Sequence, residues 1–185
     1  MVLGASAGGL HALQLLLASL PEDFPLPIAM VQHLAAQSGD TLARLLDAQA
    51  RIRVRQAAER EPLCAGTAYL APADYHLLIE ADASFSLSTE PAVCCARPSI
   101  DVLFETAAEA FGEALIGLVL TGANADGARG LQAIQRRGGM TLVQDPADAA
   151  HPAMPRAALR LVAADHVLPL QAIGPLLCQL AELPP

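Results

Sequence analysis

Short apolar segments alternate along the chain with stretches whose apolar residues recur every three or four positions, as in strands followed by amphipathic helices. The first strand is predicted at residues 1–3 and the second at Ile28–Gln32, with helices from about Gly8 and about Ser38. Strands joined through single helices run parallel in a sheet. Pro21 ends the first helix, whose predicted buried stripe consists of Leu10, Leu13, Leu16, Leu17 and Leu20.

Residues 52–89 have a different pattern, in which short β-prone segments are separated by glycine, proline and aspartate. Such punctuation is typical of tight turns between short strands. We therefore predict an insertion of short strands and hairpins, with strands at residues 52–56, 67–70, 76–80 and 84–88.

The remainder of the chain returns to alternating helices and strands. Pro98 and Ser99 are predicted to open a helix in which the Ser99 hydroxyl accepts a hydrogen bond from a following amide. Its buried stripe consists of Ile100, Leu103, Phe104, Ala107 and Phe111. The predicted elements after it are a fully buried strand at 114–120, a helix at 126–137, a strand at 140–144, a helix after Pro155, a strand at 166–168 and a helix from about Leu170.

The 185 residues are predicted to form a single α/β domain, with a doubly wound, mostly parallel sheet, helices on both faces and a short antiparallel hairpin insertion. In such folds ligands bind beyond the carboxyl ends of the strands, so the chemistry is expected there. A hydrophobic content of 54% excludes a disordered chain. No apolar run approaches the roughly 20 residues that cross a bilayer, so no membrane insertion is predicted.

Charge and residue usage exclude several classes of function. Nineteen acidic residues against eleven basic ones leave a formal charge of -8, so no nucleic-acid partner is expected, because phosphate backbones are bound by clustered cations. All eleven basic residues are arginine. A Walker phosphate loop, a Schiff-base enzyme and a Tyr-x-x-x-Lys dehydrogenase each need a lysine, so all three are excluded.

The four cysteines are Cys64, Cys94, Cys95 and Cys178, and they form no C-x-x-C pair. No secretory leader precedes the first predicted strand. We therefore expect a cytoplasmic protein with reduced thiols and no metal. The alternative is a vicinal disulfide or a metal site at Cys94 and Cys95.

The glycine-rich turn from Gly4 to Gly9 follows the first predicted strand and matches G-x-S-x-G, whose glycines allow a tight turn that exposes a serine. Ser6 is therefore a candidate nucleophile. A nucleophilic serine needs a neutral imidazole to take its proton, and His33 directly follows the second parallel strand, at the same sheet edge. The alternatives are a structural histidine and a serine turn that only caps the helix or binds phosphate.

Asp126 is the candidate third member of this group, because it lies between a buried strand and a helix at the same edge. A carboxylate there would fix the tautomer of His33 and stabilise its protonated form. The alternative is that Asp126 caps its own helix, and the two roles are compatible. The order Ser, His, Asp differs from that of α/β-hydrolases. The amides of Ala7 and Gly8 are the expected oxyanion donors.

The chain resembles the CheB-type chemotaxis protein-glutamate methylesterase domain over nearly its whole length. The most specific of the matching motifs is the segment of eight residues that begins at Arg97. In chain order the motifs are Gly4-Ala5-Ser6-Ala7-Gly8-Gly9, Val31-Gln32-His33, Tyr69-Leu70-Ala71-Pro72 with His76, Arg97-Pro98-Ser99-Ile100-Asp101-Val102-Leu103-Phe104, Leu120-Thr121-Gly122 to Asp126-Gly127, and Met154-Pro155-Arg156.

The resemblance implies a serine esterase that hydrolyses glutamyl methyl esters on the cytoplasmic signalling helices of chemoreceptors, without a cofactor. It also implies deamidation of receptor glutamines by some members. Carried over by position, the family's nucleophile is Ser6, its histidine His33 and its aspartate Asp126. Arg97 is expected to face the glutamate-rich substrate. The alternative is an internal ion pair with Asp101 or another acid.

The chain departs from the family pattern at three places. Ala123 replaces a methionine, so an open pocket beside the ester is expected unless Met154 or Leu34 fills it. Residues 34–36 read Leu-Ala-Ala where the family has Met-Pro-Pro, which could alter the rim after the catalytic histidine. Many members carry an N-terminal receiver domain, whereas this chain begins three residues before Gly4. We therefore expect regulation by a separate or fused domain, or a chain that is a fragment.

Two other functions stay open. The replacement at Ala123 suggests a catalytically weakened member that acts as a regulatory binding module. A nucleotide- or phosphate-binding domain would use the Gly4 to Gly9 turn at a helix N-terminus. Against it, His33 stands at the end of the second strand, where a dinucleotide binder has an acidic residue for the ribose.

Overall fold

The computed structural model describes residues 1–33 and 39–182, so Leu34 and the predicted helix start at Ser38 lie outside the described residues. Within these ranges the strands are β1 (Val2–Ala5), β2 (Ile28–Gln32), β3 (Arg53–Gln56), β4 (Thr67–Leu70), β5 (His76–Ile79), β6 (Phe85–Ser88), β7 (Ile116–Val119), β8 (Met140–Gln144) and β9 (His166–Leu168). The helices are α1 (Gly9–Ser19), α2 (Thr41–Asp47), α3 (Ile100–Phe111), α4 (Ala128–Arg136), α5 (Ala153–Leu161) and α6 (Leu170–Glu182), and a 3₁₀ turn spans Gly112–Ala114.

Seven of the strands form one sheet in the order β3-β4-β2-β1-β7-β8-β9, and every pairing in it is parallel. The strands β5 and β6 form a separate antiparallel pair. The predicted fold class is confirmed. The chain leaves β1 toward β2 on one side and returns to β7 on the other, so β1 lies at the point where the winding of the sheet reverses. Loops after β1, β2 and β7 therefore open a crevice at the carboxyl edge.

The apolar core has two halves because successive side chains of a strand point to opposite faces of the sheet. Leu3 of β1 lies in the half that is covered by α1, α2 and α6. Its neighbour Val2 lies in the half covered by α3, α4, α5 and the β5-β6 hairpin. Both side chains are fully buried, which explains why the strands are apolar at consecutive positions.

The predicted insertion is smaller than expected. The first two of its four segments are β3 and β4, which pair in parallel with each other, and β4 also pairs with β2 in the main sheet. Only β5 and β6 form a hairpin. Four-residue strands separated by turn-forming residues have the same pattern in either arrangement. The full burial of β4 is what distinguishes it, because that strand has helices or the hairpin on both faces.

The stripe predicted for α1 is wrong at Leu10, which is 41% exposed. The buried positions of this helix are 9, 12, 13, 16 and 17, a regular alternation of three and four residues. Gly9 and Ala12 therefore face the sheet in the first turn, and Leu10 falls on the flank.

Candidate active site

The ends of three neighbouring strands bring the candidate residues together. Ala5 is in register with Gln32, so the residues after them, Ser6 and His33, leave the sheet side by side. The amide of His33 donates to the Ala5 carbonyl at 3.2 Å, and the amide of Ser6 donates to the Thr121 carbonyl at 3.0 Å. Thr121 begins the loop after β7 that carries Asp126.

The three side chains form a hydrogen-bonded row. His33 Nδ1 lies 3.0 Å from Ser6 Oγ, and His33 Nε2 lies 2.8 Å from Asp126 Oδ2. An ionised carboxylate accepts only, so the proton on the neutral ring belongs on Nε2 and Nδ1 is free to accept from the serine hydroxyl. The arrangement is that of a nucleophile, a base and a carboxylate that orients the base.

Asp126 is completely buried, and each of its oxygens accepts several hydrogen bonds. Oδ2 accepts from the Ile100 amide at 2.7 Å in addition to His33. Oδ1 accepts from the Ser99 hydroxyl at 2.8 Å and from the Asp101 amide at 3.0 Å. Burial alone would raise the pKa of this carboxyl, but the hydrogen bonds from His33, two amides and a hydroxyl outweigh it. The pKa therefore lies below its ordinary value of 3.8.

The helix that Asp126 caps is α3 and not its own helix. The residue before α4 is Gly127, which has no side chain with which to cap that end. Besides the adjacent Gly127 amide, which donates to Oδ1 at 3.1 Å, the amides that donate to Asp126 belong to Ile100 and Asp101, in the first turn of α3. The capping role predicted for Ser99 is also wrong. Its hydroxyl donates to Asp126 and accepts no hydrogen bond from an amide of α3.

Asp101 has the complementary position. This buried residue of α3 accepts the Gly130 amide from the first turn of α4 at 2.8 Å through Oδ1. Its Oδ2 accepts from Arg129 Nε at 3.2 Å. Asp126, just before α4, thus caps α3, and Asp101, in α3, caps α4. This exchange fixes Asp126 relative to α3.

Arg97 lies in the wall of a cleft of about 640 Å³ that also contains His33 and Asn124. Its guanidinium donates to Asp74 Oδ1 at 2.6 Å and 3.1 Å, and to the carbonyls of Thr89 and Glu90 at 2.8 Å and 3.1 Å. The ion pair therefore involves Asp74, while Asp101 pairs with Arg129. The side chain of Arg97 is 27% exposed, so part of it reaches the cleft.

The two candidate oxyanion donors are in the turn after Ser6. Among residues 1–33 and 39–182, no backbone carbonyl accepts a hydrogen bond from the amide of Ala7 or Gly8. The turn is held by Thr121, whose hydroxyl donates to the Ala7 carbonyl at 2.9 Å. Gly8 has a φ of 76°, a left-handed conformation that favours glycine, and an added Cβ would meet Ala150 at 2.9 Å.

Ala123 is exposed on the loop that carries Asp126. The side chain of Met154 is completely buried and lies against Gly122, the residue that precedes Ala123. Met154 therefore fills space beneath this loop. Leu34, the other residue predicted to compensate for the missing methionine, lies outside the described residues.

Cys94 and Cys95 form the tip of a tight turn between Val93 and Ala96, which exchange two backbone hydrogen bonds. Their φ angles are 49° and 61°, and both thiols are free and exposed. Cys94 Sγ lies 3.9 Å from Asp101 Oδ2. Burial and the nearby carboxylates raise the pKa of the Cys94 thiol, which disfavours the thiolate that metals and disulfide exchange require.

The only group of candidate metal ligands among the described residues consists of Cys94, Asp101 and Asp126, whose ligand atoms lie within 4.8 Å of one another. All four carboxylate oxygens of the two aspartates already accept hydrogen bonds, three from backbone amides and Asp101 Oδ2 from Arg129. The group is accordingly a hydrogen-bond network between two helices, and it lacks the free oxygens that a cation would need.

Two residues of this site were not predicted as parts of it. The first is Ser99, for which the sequence pattern predicts only helix capping. Its place directly after Arg97 and Pro98, at the same sheet edge as the candidate residues, is the signal that points to the site. Gln32 is buried at the end of β2, and its side-chain amide donates to the carbonyls of Ser6 and His33 at 3.0 Å each. The signal here is one polar residue at the end of an otherwise apolar strand, directly before the histidine.

No helix in the described part of the chain is long and apolar enough to span a membrane. The CheB methylesterase family model matches residues 1–177. A Leptospira interrogans protein named protein-glutamate methylesterase/protein-glutamine glutaminase is 46% identical over 182 residues, which cover 98% of this chain and 94% of that protein. The protein-glutamate methylesterase FrzG of Myxococcus xanthus is 40% identical over 99% of this chain and 55% of its own length.

The chain spans about half the length of FrzG and of further curated relatives that it matches. Among solved structures, the Thermotoga maritima CheB methylesterase catalytic domain superposes with a TM-score of 0.93 at 32% identity, covering 97% of this chain and 96% of the other. The family model covers all the residues that line the cleft, from His33 to Asn124. The chain belongs to the CheB methylesterase family.

Proposed function

We propose that this chain hydrolyses glutamyl methyl esters on the cytoplasmic signalling helices of chemoreceptors, with Ser6 as the nucleophile. The observation that carries the proposal is the row Ser6, His33 and Asp126, hydrogen-bonded at 3.0 Å and 2.8 Å beside an open cleft. Curated relatives are named as protein-glutamate methylesterases, which gives the substrate class.

In the acylation step Ser6 Oγ attacks the ester carbonyl while its proton moves to His33 Nδ1. The resulting imidazolium is stabilised by Asp126, which stays ionised because its pKa is lowered. Collapse of the tetrahedral intermediate breaks the bond to the methoxy group, and His33 returns the proton to it. Methanol leaves, and the glutamyl group remains as an ester of Ser6.

In the deacylation step His33 takes a proton from water, and the oxygen of that water attacks the acyl group. The bond to Ser6 Oγ breaks, and the side chain receives its proton back from His33. The products of the cycle are glutamate and methanol. A receptor glutamine would follow the same steps with ammonia as the leaving group, which is the deamidase activity in the names of several relatives.

The amides of Ala7 and Gly8 are our candidates for stabilising the oxyanion. They lie at the entry of α1, where the helix dipole favours negative charge, and they have no backbone acceptor in the described part of the chain. We assign Arg97 to the recognition of the acidic substrate helix. We further propose that a regulatory domain, fused or separate, controls access to the cleft in the cytoplasm.

Methanol release from methylated chemoreceptors tests the proposed function. Wild-type protein should release methanol, and a Ser6→Ala variant of the same fold should lose nearly all of this activity, since it lacks the attacking oxygen. Equal release by both proteins would remove Ser6 from the mechanism. No release by folded wild-type protein, with receptor binding retained, would favour a regulatory binding module.

A further inference from the structure

We propose that Gln32 is a positioning residue that holds the nucleophile and the base of this site in register. This inference rests on the proposed function of Ser6 and His33. The Gln32 side chain lies at the end of β2 and is only 6% exposed. Its Nε2 donates to the Ser6 carbonyl and to the His33 carbonyl, at 3.0 Å each.

The side chain of Gln32 links β1 and β2 beyond the last backbone hydrogen bond between these two strands. That bond runs from the His33 amide to the Ala5 carbonyl, and one residue further Ser6 turns away into the entry of α1. The two N–H groups of one side-chain amide then connect the backbones of the two residues whose side chains must meet. A shift between the strand ends would change the distance of 3.0 Å between Ser6 Oγ and His33 Nδ1.

The observed orientation of the Gln32 amide leaves one buried polar atom without a hydrogen-bond partner. Its Oε1 is buried and has no hydrogen-bond partner among the described residues. Reversing the amide would place that oxygen against two carbonyl oxygens, so Nε2 must face Ser6 and His33. Unpaired buried polar atoms are rare in folded proteins. Here one is retained so that a single side chain can donate to both carbonyls.

The sequence leaves room for this side chain at Gly9. An added Cβ at Gly9 would collide with Gln32 Oε1, and the φ of Gly9 is an ordinary one, so the absence of a side chain there concerns space alone. The amide of Gly9 also donates to the Ser6 carbonyl at 2.8 Å. The Ser6 carbonyl is thus fixed by two donors, one from α1 and one from β2.

Replacement of Gln32 by methionine tests the proposal, because methionine has nearly the same length and no donor. We expect kcat for methylated receptor to fall about 10- to 100-fold, the usual effect of losing a group that orients a catalytic residue, with KM nearly unchanged. The rate at which a serine-reactive phosphonate labels Ser6 should fall in parallel. Rates are expressed per site titrated by exhaustive labelling, so a loss of folded protein does not count as a loss of kcat.

Gln135→Met is the control. Gln135 also donates its side-chain amide to a backbone carbonyl, that of Ala163 at 2.7 Å, but it lies in the last turn of α4, at the end of that helix opposite to Asp126. A kcat per site in Gln32→Met equal to wild type, or an equal loss in both variants, would overturn the positioning role. A wild-type protein without activity or Ser6 labelling would instead overturn the proposed function.

Gly9→Ala provides a second route if Gln32→Met yields little folded protein. The new methyl group displaces the Gln32 amide while Gln32 itself is kept, and it also presses on the Cβ of Ala5, at 2.8 Å. We expect the same pattern, a lower kcat with little change in KM. A Gly9→Ala variant with wild-type kcat would show that the amide can move without consequence, which would contradict the proposal.

Discussion

Two buried aspartates stand at the N-termini of neighbouring helices and differ in their side-chain partners. Asp126 accepts amides from the first turn of α3, and Asp101 accepts an amide from the first turn of α4. Among side chains, His33 and Ser99 hydrogen-bond to Asp126, whereas Arg129 donates to Asp101. The comparison teaches that helix capping positions both carboxylates, and that contact with a histidine is what makes Asp126 part of the proposed catalytic site.

This difference separates stability from catalysis. Both carboxylates should stabilise the packing of α3 against α4, because each satisfies buried amides that would otherwise lack an acceptor. Only Asp126 can orient an imidazole. Variants of the two residues therefore form a matched pair, in which similar losses of stability accompany very different losses of activity.

The largest expected effect is that of Asp126→Asn on turnover. An amide cannot hold the Nε2–H tautomer of His33 or stabilise its protonated form, so kcat should fall by a factor on the order of 10⁴, as in serine proteases. Turnover of methylated receptor, corrected for folded protein, checks this. Near-normal turnover would leave Asp126 as a cap of α3 only.

Asp101→Asn completes the comparison. It should lower the free energy of unfolding by about 2 kcal/mol, a typical value for hydrogen bonds to a buried charged group, as measured by urea denaturation. Its kcat per folded molecule should stay close to that of the wild type. A large loss of kcat in Asp101→Asn would erase the contrast on which the assignment of Asp126 depends.

The second expected effect concerns pH. Activity should fall as the solution becomes acidic, because His33 accepts a proton only when it is neutral. Since the pKa of Asp126 is lowered below 3.8, its stabilising contribution is present above that pH and is lost as pH falls through the lower, folded value.

Denaturation midpoints of the wild type and of Asp126→Asn over an acid pH range check this contribution. We expect a smaller acid loss of stability in Asp126→Asn. An equal loss in both proteins would contradict the stabilising role of the Asp126 carboxylate.

A smaller effect is expected for Arg97→Ala, since Arg97 is at the rim of the cleft. We expect KM for receptor to rise about tenfold, corresponding to one charge-assisted hydrogen bond, with kcat retained. The carbonyls of Thr89 and Glu90 also depend on this guanidinium, so thermal unfolding should be measured in parallel. Reduced stability with unchanged kinetics would assign Arg97 to the support of its loop.

The smallest effect is expected for Ala123→Met, which restores the residue of the family pattern on an exposed loop. A larger side chain beside the ester should sharpen discrimination between methyl and ethyl glutamyl esters by about three- to fivefold. This is less than the roughly 10- to 200-fold effect of one methylene in an enclosed pocket, because position 123 is exposed. The ratio of the two kcat/KM values checks this. Identical ratios in wild type and variant would mean that position 123 does not shape the pocket.

The positions of Ser6, His33 and Asp126 could be predicted because each follows an apolar strand, and parallel strands end at a common edge. The identity of the helix that Asp126 caps could not be predicted in this way. It depends on how α3 packs against α4, which the periodicity of either helix does not specify. The role of Ser99 was missed for the same reason.

The position of β3 and β4 also depends on tertiary pairing. Short strands bounded by turn residues fit a hairpin or a sheet edge equally well, and burial on both faces decides between them. The two donor bonds of Gln32 likewise depend on the register of Ala5 with Gln32, which pairs residues 27 positions apart. Local sequence patterns contain the residues of the site, whereas the contacts among them follow from the order of strands.

Identification of the residue modified by a serine-reactive phosphonate is the most direct test of the central claim that Ser6 is an activated nucleophile. Mass spectrometry of digested protein should find the adduct on Ser6, formed faster at neutral than at acid pH and greatly slowed in Asp126→Asn. An adduct on another residue, or complete loss of esterase activity without modification of Ser6, would contradict the account.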